Sequence, residues 1–158
     1  MNDFQEKMIF QSGIEAEING LNFQRERIFT KPEPNQDGIR VSPVHDADFY
    51  MILLRRLYRA IEKAAQYDSR IANLKGKYRE LTKKIKIRDH FEHEVDMETI
   101  PALDGGIKVV TSVMINPTSP HIISGDQRWL LNEDHERFIS LVKEFAELFP
   151  FKKLEEKL

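Results

Sequence analysis

The sequence predicts a mainly all-α fold: an antiparallel four-helix up-and-down bundle with a short β-hairpin inserted before the last helix. Three observations predict it. Four stretches carry apolar residues at helical spacing. Breaks of proline, glycine and short polar residues separate them. One β-branched run, "IKVVTSVMI" at 107–115, interrupts the helical pattern late in the chain. The 158 residues suit one domain, placed at 1–150, with a C-terminal tail at 151–158.

The first helix is expected over 3–29, where Phe4, Met8, Ile14, Ile18, Leu21 and Ile28 keep helical spacing and Arg25 falls in the gap. Gly13 and Gly20 weaken it locally. "TKPEPNQDGIRVSP" at 30–43 is a loop, and a second helix follows from about Asp46, which can cap it. Its stripe is Tyr50, Leu54, Leu57, Ile61 and Ala64. "QYDSR" is a short break, so the next helix folds back antiparallel. That third helix starts near Ser69 and carries Ile71, Leu74, Tyr78, Leu81 and Ile85 at steps of three and four. It should end by Pro101. "NPTSP" then turns the β-branched run back onto "HIIS". "GDQRWLLN" leads into the last helix, with Asn132 as N-cap and Glu133, Asp134 and Glu136 in the first turn. Phe138, Leu141, Val142, Phe145 and Leu148 form its buried face, and Pro150 ends it.

Composition narrows the function classes. Apolar residues make up 41% and charged residues 32% of the chain, as in a globular protein with amphipathic helices. Without cysteine there is no disulfide, thiolate metal site or cysteine nucleophile. No apolar run reaches a membrane span, and "MNDFQEKMIF" does not resemble a signal peptide, so a cytoplasmic protein with no membrane partner is expected. The net charge of −2 hides an asymmetry: residues 55–88 hold 12 basic and three acidic residues, a local balance of +9. Such a block attracts a polyanion, or it is a solvated face paired with acids from other helices.

Chemistry concentrates in "KKIKIRDHFEHEVDM" at 83–97. Continued past Ile85, the buried seam of the third helix lands on Arg88, Glu92 and Asp96. Buried charges must be paired or face a cavity. Arg88 and Glu92, four residues apart, can pair on one helix face. His93 sits to one side of the stripe by roughly 90°. Either Arg88, Glu92 and Asp96 form a structural network, or Arg88 binds an anion while His93 moves a proton.

Arg88-Asp89-His90-Phe91-Glu92-His93 resembles the Arg-x4-His motif of the HEPN superfamily, whose four-helix bundles carry it at the end of the third helix. The extended form, through Asp96, is similar to little-characterised bacterial HEPN-like proteins with a β-hairpin before the last helix. The resemblance covers roughly residues 3–149. It implies a homodimer with two motifs in one cleft, and a metal-independent endoribonuclease of toxin–antitoxin or phage-defence type. Arg88 would stabilise the phosphate, His93 would act as general acid or base, and Asp89 would orient one of them. Lys83, Lys84 and Lys86 would help hold RNA. An antitoxin protein is a further partner the resemblance suggests. Toxin-type members commonly carry tyrosine two residues after the histidine, where this chain has Val95; that speaks against modification by a nucleotidyltransferase partner. Other HEPN-like proteins are non-catalytic scaffolds, which is the alternative expectation.

No cofactor and no metal are expected. His90 and His93 with Asp89, Glu92 and Asp96 form one cluster on one helix, and bundle metal sites draw ligands from several. His45 reads as a surface residue, and His121 and His135 receive no role. Trp129 is expected to pack against the last helix rather than stack on a base, and Phe149 and Phe151 to anchor the tail.

Overall fold

A computed structural model describes residues 2–30, 43–85, 112–114, 120–124 and 127–152. Five helices and a three-stranded sheet occupy them. Helix α1 spans Asp3–Phe29 and opens on a capping box. The Asn2 side chain accepts from the Gln5 amide at 2.9 Å, and the Gln5 side chain accepts from the Asn2 amide at 3.1 Å. Two orphan donors are thereby satisfied. Ile14, Ile18, Leu21 and Ile28 are buried as expected, but Phe4 and Met8 are not. At 100° per residue they lie well round from the Leu21 face, and Phe10 packs on the core instead.

Helix α2 spans Pro43–Ala65, so it begins before Asp46. Asp46 therefore sits inside the first turn, where it accepts from Arg27 Nε at 2.7 Å rather than capping the helix. Proline suits such a first position because its missing N–H would have no helical partner. Every residue of the expected stripe, Tyr50 to Ala64, is buried.

Helix α3, Ser69–Lys77, is capped by Asp68, whose carboxylate accepts from the Arg70 amide at 2.9 Å. One continuous third helix is not what forms. The backbone leaves helical geometry at Tyr78 (φ −103°, ψ 22°) and resumes as α4, Arg79–Lys84. Gly76 lowers the cost of ending there, and the Tyr78 hydroxyl donates to Glu144 at 2.5 Å. Ile71, Leu74, Tyr78, Leu81 and Ile85 are nonetheless all buried. The expected run from residue 86 to Pro101 lies outside the described residues.

The expected hairpin is present as β1 (Ser112–Met114) and β2 (His121–Ser124), paired antiparallel. A third strand, β3 (Gln127–Leu130), extends it in the order β1-β2-β3, where a simple lead-in to the last helix was expected. Trp129 opposes Ile122 across β2 and β3, and both are fully buried, so this pair ties the sheet to the core.

Helix α5 spans Glu133–Glu147. Asn132 makes no side-chain cap, because its side-chain oxygen accepts from Arg25. Arg25 Nε also donates to the Leu131 carbonyl at 2.5 Å, so α1 holds the entry to α5. Phe138, Leu141, Val142 and Phe145 are buried, Leu148 partly so. Beyond α5, Phe10 stacks on Phe149 with ring centroids 4.5 Å apart, and Phe145 stacks on Phe151 at 4.9 Å. The tail is therefore anchored through Lys152. α1 packs on α2 and α5, α3 packs on α2 and α5, and β3 closes against α4 and α5. Among the described residues no helix is long and apolar enough to cross a membrane.

Candidate functional site

Arg88, Asp89, Glu92, His93, Asp96 and Lys86 lie outside the described residues. The structure does place Lys83 and Lys84. Lys83 is exposed and pairs with Glu80 at 2.8 Å, three residues before it. Lys84 is committed inward: its Nζ lies 2.8 and 3.0 Å from the two oxygens of Asp134, a carboxylate only 2% exposed. Asp134 also accepts from the Leu130 amide at 2.8 Å. One carboxylate thus joins the end of α4, the end of β3 and the first turn of α5. Of the three lysines expected to hold RNA, Lys84 is a structural cation.

Much of the basic block is neutralised in the same way. Arg56 pairs with Glu17 on α1, and Lys77 lies 2.9 Å from Glu144 on α5. Arg70 grips Asp68 through Nε at 3.1 Å and Nη2 at 2.7 Å, and donates to the Leu148 and Pro150 carbonyls at 3.0 Å each. Lys152 N–H reaches the same Asp68 carboxylate at 2.7 Å. Arg70 and these amides hold the Asp68 carboxyl well below the usual carboxylate range against the opposing effect of burial.

One hollow concentrates basic side chains. It lies between α2, α3 and α4, has a volume of about 420 Å³, and is lined by Arg55, Lys75, Arg79 and Lys83 with the Glu62 carboxylate, while Lys83 also pairs with Glu80. Arg55 Nη1 and Lys75 Nζ share Glu62 at 3.1 and 3.8 Å. Both also lie over the Tyr58 ring, at 5.4 and 5.8 Å from its centroid. The break at Tyr78 gives α4, which carries Arg79 and Lys83, its own start beside α3. The arrangement suits an anion with several oxygens, such as a phosphate.

A second constellation is buried at Trp129, Tyr50 and His135 and reaches the surface at Asn22. Trp129 Nε1–H donates to the Tyr50 hydroxyl at 3.0 Å. The Tyr50 hydroxyl lies 3.0 Å from His135 Nδ1, and His135 Nε2 lies 2.8 Å from Asn22 Oδ1. Asn22 Oδ1 can only accept, so Nε2 carries the ring proton and Nδ1 accepts from Tyr50. Donation runs from Trp129 through Tyr50 and His135 to the acceptor Asn22, linking β3, α2, α5 and α1. Burial lowers His135 to about 4, with help from the Arg25 charge, and burial also raises the Tyr50 hydroxyl. At neutral pH the imidazole is uncharged, 1% exposed and bonded at both nitrogens. It joins α1, α2 and α5 and has no free lone pair for proton transfer.

This network was not read from the sequence, yet a signal existed. His135 sits three residues before Phe138 and seven before Val142, on the apolar stripe of α5, as Tyr50 does on that of α2. Trp129 packs edge-on to Phe138 at 6.2 Å between centroids, as expected. Asn22 opens on a groove of about 530 Å³ between α1 and α5, with Ile14, Ile18 and Ile139 as its buried lining and Glu15, Glu136 and Lys143 exposed along it. Among the described residues no three His, Asp or Glu side chains converge on a point that could hold a metal. No family model, curated protein or solved structure matches the chain.

Proposed function

We propose that the chain is a HEPN-like domain, an up-and-down four-helix bundle with an inserted sheet, that engages RNA and cleaves it without a metal. The observation that supports this is the cationic hollow lined by Arg55, Lys75, Arg79 and Lys83, whose α4 members Arg79 and Lys83 shortly precede the Arg88-x4-His93 motif in sequence. In this reading the ribose 2′-OH attacks the adjacent phosphate and the 5′ oxygen of the next nucleotide leaves. Arg88 matches the phosphate with forked donors and His93 carries the proton, with Asp89 orienting one of them. The cytoplasm, a homodimer and a toxin–antitoxin or phage-defence setting belong to the same proposal.

A test of the RNA arm is binding of a labelled single-stranded RNA as a function of salt. The double variant Lys75→Glu, Arg79→Glu should bind more weakly, with a log K against log salt slope shallower by about 1 to 2. An unchanged slope removes the hollow from the RNA path.

A second reading is a non-catalytic interaction module. It is favoured by the ion pairs of Arg56, Arg70, Lys77 and Lys84, each of which is tied to a carboxylate. Under that reading the chain binds no RNA at physiological salt, and the hollow variants change nothing in that assay.

A further inference from the structure

The cationic hollow already holds an anion of the chain's own. Arg55 Nη1 from α2 lies 3.1 Å from Glu62 Oε2, and Lys75 Nζ from α3 lies 3.8 Å from Glu62 Oε1. Each carboxylate oxygen therefore has its own cation. Both cations also stand over the ring of Tyr58, which is buried and favours that placement. Two oxygens of one anion, divided between a guanidinium and an ammonium, is how a phosphate would sit there as well. Glu62 takes that position without filling the hollow, whose α4 wall carries Arg79 and Lys83 about one turn apart.

Glu62 is held loosely enough to leave. Its side chain is 33% exposed, and its contact with Lys75 at 3.8 Å is longer than a hydrogen bond. Partly hydrated pairs of this kind are weak. The carboxylate also has somewhere to go. Glu62 and Lys75 line a second, adjoining hollow of about 400 Å³, together with Ala65, Gln66 and Ala72. A change of Glu62 rotamer carries the carboxylate from one hollow to the other, where the Gln66 side-chain amide can donate to it. Asp134 is the contrast. It is 2% exposed and lies within hydrogen-bond distance of both Lys84 and the Leu130 amide, which suits a pair that stays in place.

We infer that Glu62 is a displaceable place-holder: an incoming phosphate takes its position between Arg55 and Lys75, and the carboxylate withdraws into the adjoining hollow beside Gln66. The consequence is selectivity. Displacing Glu62 costs every ligand the same. A lone phosphate that meets only Arg55 and Lys75 exchanges one anion for another and gains little. A ligand whose second phosphate reaches Arg79 and Lys83 adds new pairs to that exchange. The hollow therefore favours linked phosphates, such as successive phosphates of an RNA strand, over single ones. The RNA part rests on the proposed function, and a small linked phosphate separates the two.

The test is calorimetric titration of the full chain with inorganic pyrophosphate, beside titration of a labelled single-stranded RNA. Glu62→Gln keeps the side chain's shape and removes its charge. It should bind pyrophosphate at least about tenfold more tightly than wild type. RNA should gain by a similar factor, with a log K against log salt slope steeper by about 0.7. Glu62→Ala should show the same gain, so the result does not hang on one replacement. Glu15→Gln makes the same charge change on α1, at an exposed residue outside the hollow, and should leave both affinities within about twofold of wild type. Pyrophosphate affinity unchanged or weakened in both Glu62 variants, gains matched by Glu15→Gln, or no pyrophosphate binding by any protein would each overturn the inference. Tighter pyrophosphate binding with unchanged RNA binding would uphold the place-holder and remove the hollow from the path of RNA.

Discussion

Replacing His135 by glutamine removes a titrating group while keeping a donor and an acceptor between Tyr50 and Asn22. Burial lowers the folded-state value to about 4, against 6.5 for the free side chain. The sign follows from proton counting: between these values the unfolded chain holds a proton that the folded chain excludes. The stability His135 contributes is therefore complete above about pH 7 and falls as the pH drops through 6.5. The fall approaches 1.4 kcal/mol per pH unit and levels off below about 4. Between pH 7 and pH 5 it comes to about 2 kcal/mol. The assay is urea unfolding of wild type and His135→Gln, each at both pH values. Every other titrating group contributes to both proteins, so it cancels in the double difference. The wild type should lose about 2 kcal/mol more than the variant on acidification. Parallel losses, within about 0.5 kcal/mol, would refute the claim that burial holds His135 neutral in this network.

Lys84→Ala should cost about 3 kcal/mol in a thermal or urea melt, because it removes the cation from Asp134, a carboxylate 2% exposed; Lys83→Ala, at an exposed pair, should cost under about 1 kcal/mol. Equal effects would contradict the structural role given to Lys84. Asp68→Ala should cost about 3 kcal/mol, the low end for a broken buried pair because Arg70 stays partly hydrated, and limited proteolysis should then release the tail after Leu148. The charge-dependent part behaves oppositely in cause but not in direction to that of His135. A depressed carboxyl stabilises above its ordinary value near pH 4 and loses that stabilisation as pH falls further, so wild type and Asp68→Asn should converge in acid.

What the sequence revealed depended on how many residues carried each signal. The stripes of α2 and α5 and the seam Ile71 to Ile85 are long periodic patterns, and the core contains them. The seam survived even the break at Tyr78, because side chains stay on one face through a single distorted turn. β3 was missed because four residues offer only two periods of alternation, and Trp129 alone marks its inward side. Phe4 and Met8 were misplaced because α1 is apolar on more than one side, so any stripe through it finds hydrophobic residues. Caps were ambiguous for a related reason. Asp46 and Asn132 are good capping types, but Arg27 and Arg25 from α1 claim their oxygens, a tertiary preference that local sequence does not encode. Of the candidate site, the basic block was legible as charge. Its division into structural ion pairs and one cationic hollow required knowing which acids lie across from it.

The most direct measurement of the proposed function is cleavage of a defined single-stranded RNA, in the presence of a metal chelator, by wild type, Arg88→Ala and His93→Ala. Wild type should cleave and leave a 2′,3′-cyclic phosphate, and each variant should fall by at least about a hundredfold, the range expected for loss of a general acid–base or of a charge-stabilising donor. Identical product formation by all three proteins, or none by any, would contradict it.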